Sequence, residues 1–126
     1  MKSNCVYQRP SVFLNLGNGR YHYNYNVVES TKTGETGEEV PSFDYDTVEI
    51  IGKPTYSKVV SAVVREKYTA DKEIALINNY NRYQLASKDN KVEADKEEYV
   101  AYLDEVEAIK AMVKRDCISY NFEIDG

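Results

Sequence analysis

Residues 44–80 read DYDTVEIIGKPTYSKVVSAVVREKYTADKEIALINNY, and this passage decides the fold. From Phe43 to Ile51 the chain alternates with the period of a strand. Phe43, Tyr45, Thr47, Glu49 and Ile51 fall on one side and Asp44, Asp46, Val48 and Ile50 on the other, neither side being uniformly apolar. Pro54 lacks a ladder donor and stops the strand, and Thr55 is a suitable N-cap for a helix. The period then changes to that of a helix, with Tyr56, Val59, Val60, Val63 and Val64 on one stripe. So many β-branched residues give little intrinsic helix propensity, so this helix must draw its stability from packing against the sheet.

On the C-terminal side, Thr69 caps a second helix whose first turn carries Asp71 and Glu73, acids that suit the positive end of the helix dipole. Ile74, Ile77 and Tyr80 form its expected buried stripe, with Leu85 near its end. Asn90 followed by Glu93 has capping-box spacing and predicts a third helix through about Asp116. Along it Tyr99, Tyr102, Val106, Ile109 and Val113 recur at steps of three and four, a seam of roughly two heptads. Lys110, Lys114 and Arg115 near its end complement the dipole. Beyond the helix, Ile118, Tyr120, Phe122 and Ile124 alternate with Ser119, Asn121 and Glu123, which predicts a closing strand over 117–124. Such a strand can return to the N-terminal sheet or add to the sheet of a neighbouring copy.

On the N-terminal side, Val12 to Leu16 and Tyr21 to Val28 read as two strands joined at Gly17-Asn18-Gly19, where Asn18-Gly19 can adopt the positive φ angles of a tight hairpin. Tyr21, Tyr23, Tyr25 and Val27 share one face of the second strand, and His22, Asn24, Asn26 and Val28 share the other, expected to be wet. Thr31 to Pro41, with two glycines, a proline and several acids, reads as a mobile hairpin loop. The expectation is therefore one α+β domain over 1–126, with an antiparallel β-meander over 11–51, three helices over 55–116 and a possible closing strand.

Charge bounds the partners. The chain of 126 residues carries a net charge of −5, distributed unevenly. Residues 1–28 hold three basic groups and no acid, whereas residues 29–51 hold seven acids against the single Lys32. No face gathers the lysines and arginines that displace counterions from phosphate, so nucleic acid is not an expected partner. No apolar run reaches membrane-spanning length, and a membrane is not expected either. Cys5 and Cys117 lie far apart in sequence without a C-x-x-C pair, and with one histidine there is no zinc-site spacing. Nothing before Cys5 resembles a secretory signal, so both are expected to be reduced thiols.

Candidate chemistry is sparse. His22 is the sole histidine and sits in YHYNYN with neither nucleophile nor orienting group in view. Asp44 and Asp46 share a strand face and could offer oxygens to a hard cation, but the same spacing describes a solvated strand, and no EF-hand or phosphate-loop pattern is present. No catalytic residue, metal ligand or cofactor is assigned. The strongest compositional departure is twelve tyrosines with no tryptophan. Tyrosine combines large contact area with a polar tip, which suits protein interfaces as well as small cores. Tyr21, Tyr23 and Tyr25 are the expected contact ribbon, Tyr99, Tyr102, Val106, Ile109 and Val113 the expected helical interface, and Ile118, Tyr120, Phe122 and Ile124 the expected strand-addition tail.

The segments FDYDTVEI (43–50) and PTYSKVVSAVVREKYTADKEIALINNY (54–80) resemble small proteins of unassigned biochemical activity encoded by bacteriophages and prophages of Bacteroides-type gut bacteria, near tail or virion genes. The shared residues, among them Tyr56, Arg65 to Tyr68 and Asn78-Asn79-Tyr80, look structural. The resemblance implies a non-enzymatic, virion- or tail-associated protein that works by oligomerising or by docking to other phage structural proteins. It would sit in the virion, and in the host cytoplasm during assembly. The alternative is a cytosolic assembly adaptor or chaperone absent from the mature particle.

Overall fold

The computed structural model describes residues 1–126 as a four-stranded antiparallel sheet followed by three helices. The strands are β1 (Lys2–Val6), β2 (Phe13–Gly17), β3 (Arg20–Thr33) and β4 (Glu39–Ile51). The helices are α1 (Tyr56–Lys67), α2 (Ala70–Leu85) and α3 (Glu93–Ser119). Sheet order is β1-β4-β3-β2, so the expected meander forms β2-β3-β4 and the unanticipated β1 adds to the far edge of β4. The strand β1 escapes a reading by pattern because it is five residues long with only two apolar ones; pairing with residues 42–46 of β4 holds it.

The turn between β2 and β3 has the expected chemistry, with positive φ at both Asn18 and Gly19. The β3–β4 hairpin departs from expectation. Its strands continue through Thr33 and resume at Glu39, leaving only a short turn closed by Gly34 N–H donating to the Glu38 carbonyl at 2.7 Å. Polar composition in 31–41 marked an exposed ribbon rather than a loop, because ladder pairing such as Lys32 with Val40 needs no apolar side chain. A bulge interrupts β3 between Tyr25 and Val28, where Asn26 takes φ 53°. One extra residue reverses which side chains face the helices, so Val28 joins the side of Tyr25 rather than that of His22.

The core lies between the sheet and the helices. Phe13, Tyr23, Tyr25, Val48 and Ile50 from the sheet meet Val59, Val63 and Val64 of α1 and Ile109, Val113 and Cys117 of α3. On the opposite, helix-free face, the Tyr7–Val12 connection is tied down where Cys5 Sγ donates to the Gln8 carbonyl and Asn24 Nδ2 donates to the Ser11 carbonyl at 2.8 Å. Asn24, expected to be wet, is therefore buried, with Thr47 Oγ1 donating to its side-chain oxygen at 2.8 Å.

Thr55 and Thr69 cap α1 and α2 as expected, accepting from the backbone N–H of Lys58 and Lys72. The capping box at Asn90 does not form. Asn90 ends a short 3-10 turn (Lys88–Asn90), and its amide donates to Ser87 Oγ. The helix α3 begins at Glu93 and runs through Ile118 and Ser119, so the first three residues of the predicted closing strand over 117–124 are helix. It ends when Asn121 turns to φ 57°, with Phe122 N–H donating to the Cys117 carbonyl and Asn121 N–H to the Ile118 carbonyl. This is a Schellman stop with asparagine in the glycine position. Strand character survives only as an isolated parallel bridge between Thr55 and Glu123.

Candidate functional site

The structure places most of the expected interaction residues inside the fold. Tyr23 is fully buried and donates to Asp116 Oδ2 at 2.6 Å. It stacks on Tyr25 with centroids 5.3 Å apart and tilts against Phe13 at 4.8 Å. The ribbon of Tyr21, Tyr23 and Tyr25 is thus an inner surface and not a free contact strip. Burial, then the Asp116 carboxylate, pushes the Tyr23 hydroxyl well above the ordinary range of a phenol.

The tail is also committed within the chain. Phe122 meets Phe13 edge-on at 4.9 Å and Tyr21 at 6.2 Å, and Tyr120 meets Phe13 at 5.1 Å. Tyr56 N–H donates to the Glu123 carbonyl at 2.8 Å, and Asp125 accepts from both the backbone N–H and the hydroxyl of Ser57. Those two bonds hold the Asp125 carboxyl below its usual range, at the N-terminus of α1 where negative charge is favoured. Of the predicted tail contacts, Phe122 alone is largely covered, while Ile118, Tyr120 and Ile124 keep 58%, 40% and 42% of their surface exposed.

The α3 seam faces inward, as its spacing requires. Ile109 and Val113 enter the main core, with Val106 beside it. Tyr99 and Tyr102 instead pack on the α2 side: Tyr99 stacks on Tyr80 at 4.5 Å, and Tyr102 meets Tyr68 edge-on at 5.0 Å. Their polar tips join an ionic rim. The Tyr102 hydroxyl donates to Glu73, which also accepts from Arg65 at 2.6 Å. The Tyr68 hydroxyl donates to Glu105 at 2.6 Å, and Lys67 pairs with the same carboxylate. Burial, then the Glu73 contact, raises the Tyr102 hydroxyl to about 12; the Glu105 bond, then burial, raises that of Tyr68 to about 12.

On α2 the predicted stripe holds at Tyr80, which packs on Tyr99, and fails at Ile74 and Ile77. Leu76 is its only buried apolar residue, and Ile74 and Ile77 face solvent together with Leu85. The reason lies in the partner: α3 meets Tyr80 through Tyr99, Glu73 through Tyr102 and Tyr83 through Glu93, so the covered side of α2 is the one that carries Glu73, Tyr80 and Tyr83, with Leu76 at the same helical spacing. Helix α2 runs antiparallel to α3, as the Tyr102–Glu73 and Tyr83–Glu93 bonds at its two ends show. In an antiparallel pair, residues displaced in the same rotational sense from the seam lie on the same flank. Ile74 and Ile77 of α2 therefore share one flank with Val100 and Leu103 of α3, and all four are between 42% and 56% exposed. The expected seam residues gave no hint of this strip, although the spacing of Ile74 and Ile77 did mark an apolar flank.

The other candidates stand apart. Asp44 accepts from Asn4 at 2.6 Å, while Asp46 pairs with Lys2 at 2.6 Å and accepts from Asn26 at 3.2 Å. Partial burial works against the charge of Asp46, but the Lys2 and Asn26 bonds outweigh it and hold the carboxyl below its ordinary range. Cys117 is buried, and burial, then the nearby Asp116 and Asp125, pushes its thiol up to about 11, far from nucleophilic at neutral pH. Cys5 and Cys117 are both free thiols. No helix is long and apolar enough to cross a membrane. Comparison of the chain with family models, curated proteins and solved structures finds no match in any of the three.

Proposed function

We propose that the chain is a non-enzymatic structural or docking protein of a phage particle, assembling with further copies of itself through the outer flank of the α2–α3 hairpin. The observation that carries the reading is the strip of Ile74, Ile77, Val100 and Leu103, four large aliphatics in the open on adjacent helices whose seam is made of tyrosines. Full burial of such a side chain is worth about 1.5–3 kcal/mol, and with about half of each still in water a matching surface would recover about 1 kcal/mol each. The strip is bordered by Lys96 and by Glu93, Glu97 and Asp104, so a two-fold copy can place Lys96 against an acid of the other copy and leaves the remaining acids at the solvated rim. A non-enzymatic role fits the use of the titratable groups, since Asp116, Glu73, Glu105 and Asp125 each hold two elements together. The phage setting rests on the resemblance carried by residues 43–50 and 54–80.

Light scattering across a concentration series tests this. A dimer or larger assembly is expected, and Ile74→Glu with Leu103→Glu should yield a monomer of unchanged circular dichroism. A monomer at every concentration overturns assembly through the strip. Stoichiometric presence in purified particles supports a building block; presence only in lysate supports the assembly-adaptor reading instead.

A further inference from the structure

The strand β4 is longer than its partner on the outer side. β1 pairs with residues 42–46, and the Met1 carbonyl accepts from Thr47 N–H at 2.8 Å, so residues 48–51 have β3 on one side and no strand on the other. The direction of their backbone groups is fixed at both ends. Thr47 N–H points outward to Met1, whereas Gly52 N–H points inward and donates to the Gly19 carbonyl at 2.6 Å. Backbone groups of a strand alternate in direction with a period of two, so Glu49 and Ile51 turn both N–H and C=O to the open side. Of these four groups only the Ile51 carbonyl has a contact, the Lys58 ammonium at 3.5 Å.

A groove runs beside this edge. Two hollows of about 420 and 360 Å³ share Glu49 and Ala62 in their linings, one reaching Ile51 and Lys58 and the other Val48 and Arg65. One wall is the edge of β4, and the other is the flank of α1, where Ser61 and Ala62 are small enough to leave the space open. Lys58 stands at the Gly52 end, its ammonium 3.1 Å from where a β-carbon on Gly52 would sit and 3.3 Å from the Lys53 carbonyl, with no carboxylate on it. The other two edges of the sheet are blunted. β1 is five residues long and begins with Lys2, and the register of β2 shifts between Asn15 and Gly17, where the Asn15 side chain accepts from Gly17 N–H.

We infer that the groove between β4 and α1 takes an extended segment of a different polypeptide, added antiparallel to β4 in line with β1. Donors and acceptors set out at a two-residue repeat are the pattern that another extended main chain matches. The segment's residue opposite Glu49 exchanges two hydrogen bonds with it. Residues opposite Ile50 and Val48 turn their side chains to the helix layer beside Ala62, in space that suits side chains of about valine size. An acid opposite Gly52 meets Lys58 and gains a charge-assisted bond. A second copy has no free extended segment to offer, since its tail is strapped across the sheet and the edge of its β2 is irregular. The groove lies apart from the α2–α3 strip, so this docking stands or falls independently of assembly through that strip.

The test is a titration of the full chain with acetyl-DTVTV-amide, whose aspartate falls opposite Gly52 and whose valines fall opposite Ile50 and Val48, followed by amide NMR and hydrogen exchange. Saturable shifts at residues 48–52 and 57–62 are expected, with slowed exchange of the Glu49 and Ile51 amides. N-methylation of the second threonine removes the donor to Glu49 and should weaken binding about tenfold or more, whereas N-methylation of the first valine, whose amide points away from β4, should change it less than about threefold. Lys58→Ala should weaken this peptide about threefold to tenfold and leave its asparagine analogue unchanged. Ser61→Arg, at an exposed helical position, should keep the circular dichroism of the parent and close the groove to the peptide. No saturable binding, equal losses from the two N-methylations, or a Ser61→Arg variant that binds as well as the parent would each overturn the inference. So would protection of the Glu49 and Ile51 amides that grows with protein concentration in the absence of peptide, which would give the edge to a second copy.

Discussion

The two ends of the helical layer solve the same packing problem with different materials. Against the sheet, α1 and α3 bury Val59, Val63, Ile109, Val113 and Cys117 around Tyr23, whose one polar atom is closed off by Asp116. Away from the sheet, α2 and α3 meet through Tyr80, Tyr99 and Tyr102, with Leu76 the only buried aliphatic of α2, and the hydroxyls of Tyr102 and the neighbouring Tyr68 end on carboxylates shared with Arg65 and Lys67. Aliphatic burial scales with area removed from water, whereas ion pairs at a wet rim contribute about 0–1 kcal/mol each. The sheet end should therefore carry most of the global stability. The hairpin end is held by geometry-dependent aromatic and polar contacts, which suits a surface that docks.

The largest effect expected from this arrangement is alkaline unfolding of the whole chain. Tyr25, Tyr68 and Tyr102 have hydroxyls raised from 10.0 to about 12, and Tyr23 lies higher still. An acid whose folded value is raised contributes nothing to the pH dependence while both states stay protonated. Above pH 10 the unfolded chain ionises first, so stability falls steadily as pH climbs from 10 towards 12. Tyrosinate absorbance and circular dichroism should move together, with these tyrosines ionising only as the fold is lost. Loss of the α2–α3 helical signal before that of the sheet would sharpen the contrast between the two ends. Full ionisation of these tyrosines without unfolding would break it. On the acid side the signs reverse: Asp46, Glu73 and Glu105 are held below 3.8, 4.5 and 4.5 respectively, so their contribution is present above those values and lost as pH falls through the lower folded ones.

Next in size are cavity-forming changes made in parallel. Ile109→Ala in the sheet core should cost about 2–5 kcal/mol in urea unfolding. Leu76→Ala, beside a seam of rings that can settle into the space, should fall at or below about 2 kcal/mol. Amide exchange should show α2 opening without the sheet in the parent chain. If Leu76→Ala proves the more costly, the hairpin and not the sheet anchors the fold.

What could be read from the residues divides along the same line. The elements β3, β4 and all three helices were legible because their periodic runs are long, β2 because its apolar residues precede a Gly-Asn-Gly turn, and the caps at Thr55 and Thr69 because a short polar side chain bonds the backbone locally. Features decided by distant partners were not. The strand β1 exists through residues 42–46, Asn24 is buried by a connection arriving from Ser11, and the bulge at Asn26 reverses a face that strict alternation assigned otherwise. The tail read as a strand because Tyr120, Phe122 and Ile124 alternate. Only the partners Phe13, Tyr21 and Ser57, more than sixty residues away, show that the alternation instead serves a strap across the sheet and the start of α1.

The smallest effect is the most discriminating, because it compares one residue type at both ends. Tyr23→Phe leaves the Asp116 carboxylate, whose side chain is mostly buried, short of a donor, with only Arg115 at 3.5 Å nearby, and should cost about 1–3 kcal/mol. Tyr102→Phe leaves Glu73 with Arg65 at 2.6 Å and with access to solvent, so the cost should be at most about 1 kcal/mol. The second variant has its own signature in a titration. The Tyr102 hydrogen bond is the main reason the Glu73 carboxyl lies below 4.5, ahead of the opposing effect of burial and the help of Arg65. Removing that hydroxyl should move Glu73 back up towards its ordinary value in a carboxyl NMR titration, shrinking the acid-side loss of stability by the same linkage. A Glu73 that stays low without Tyr102 would mean that Arg65 alone holds it, and the hairpin rim would then be an ordinary surface ion pair and not a tyrosine-built seam.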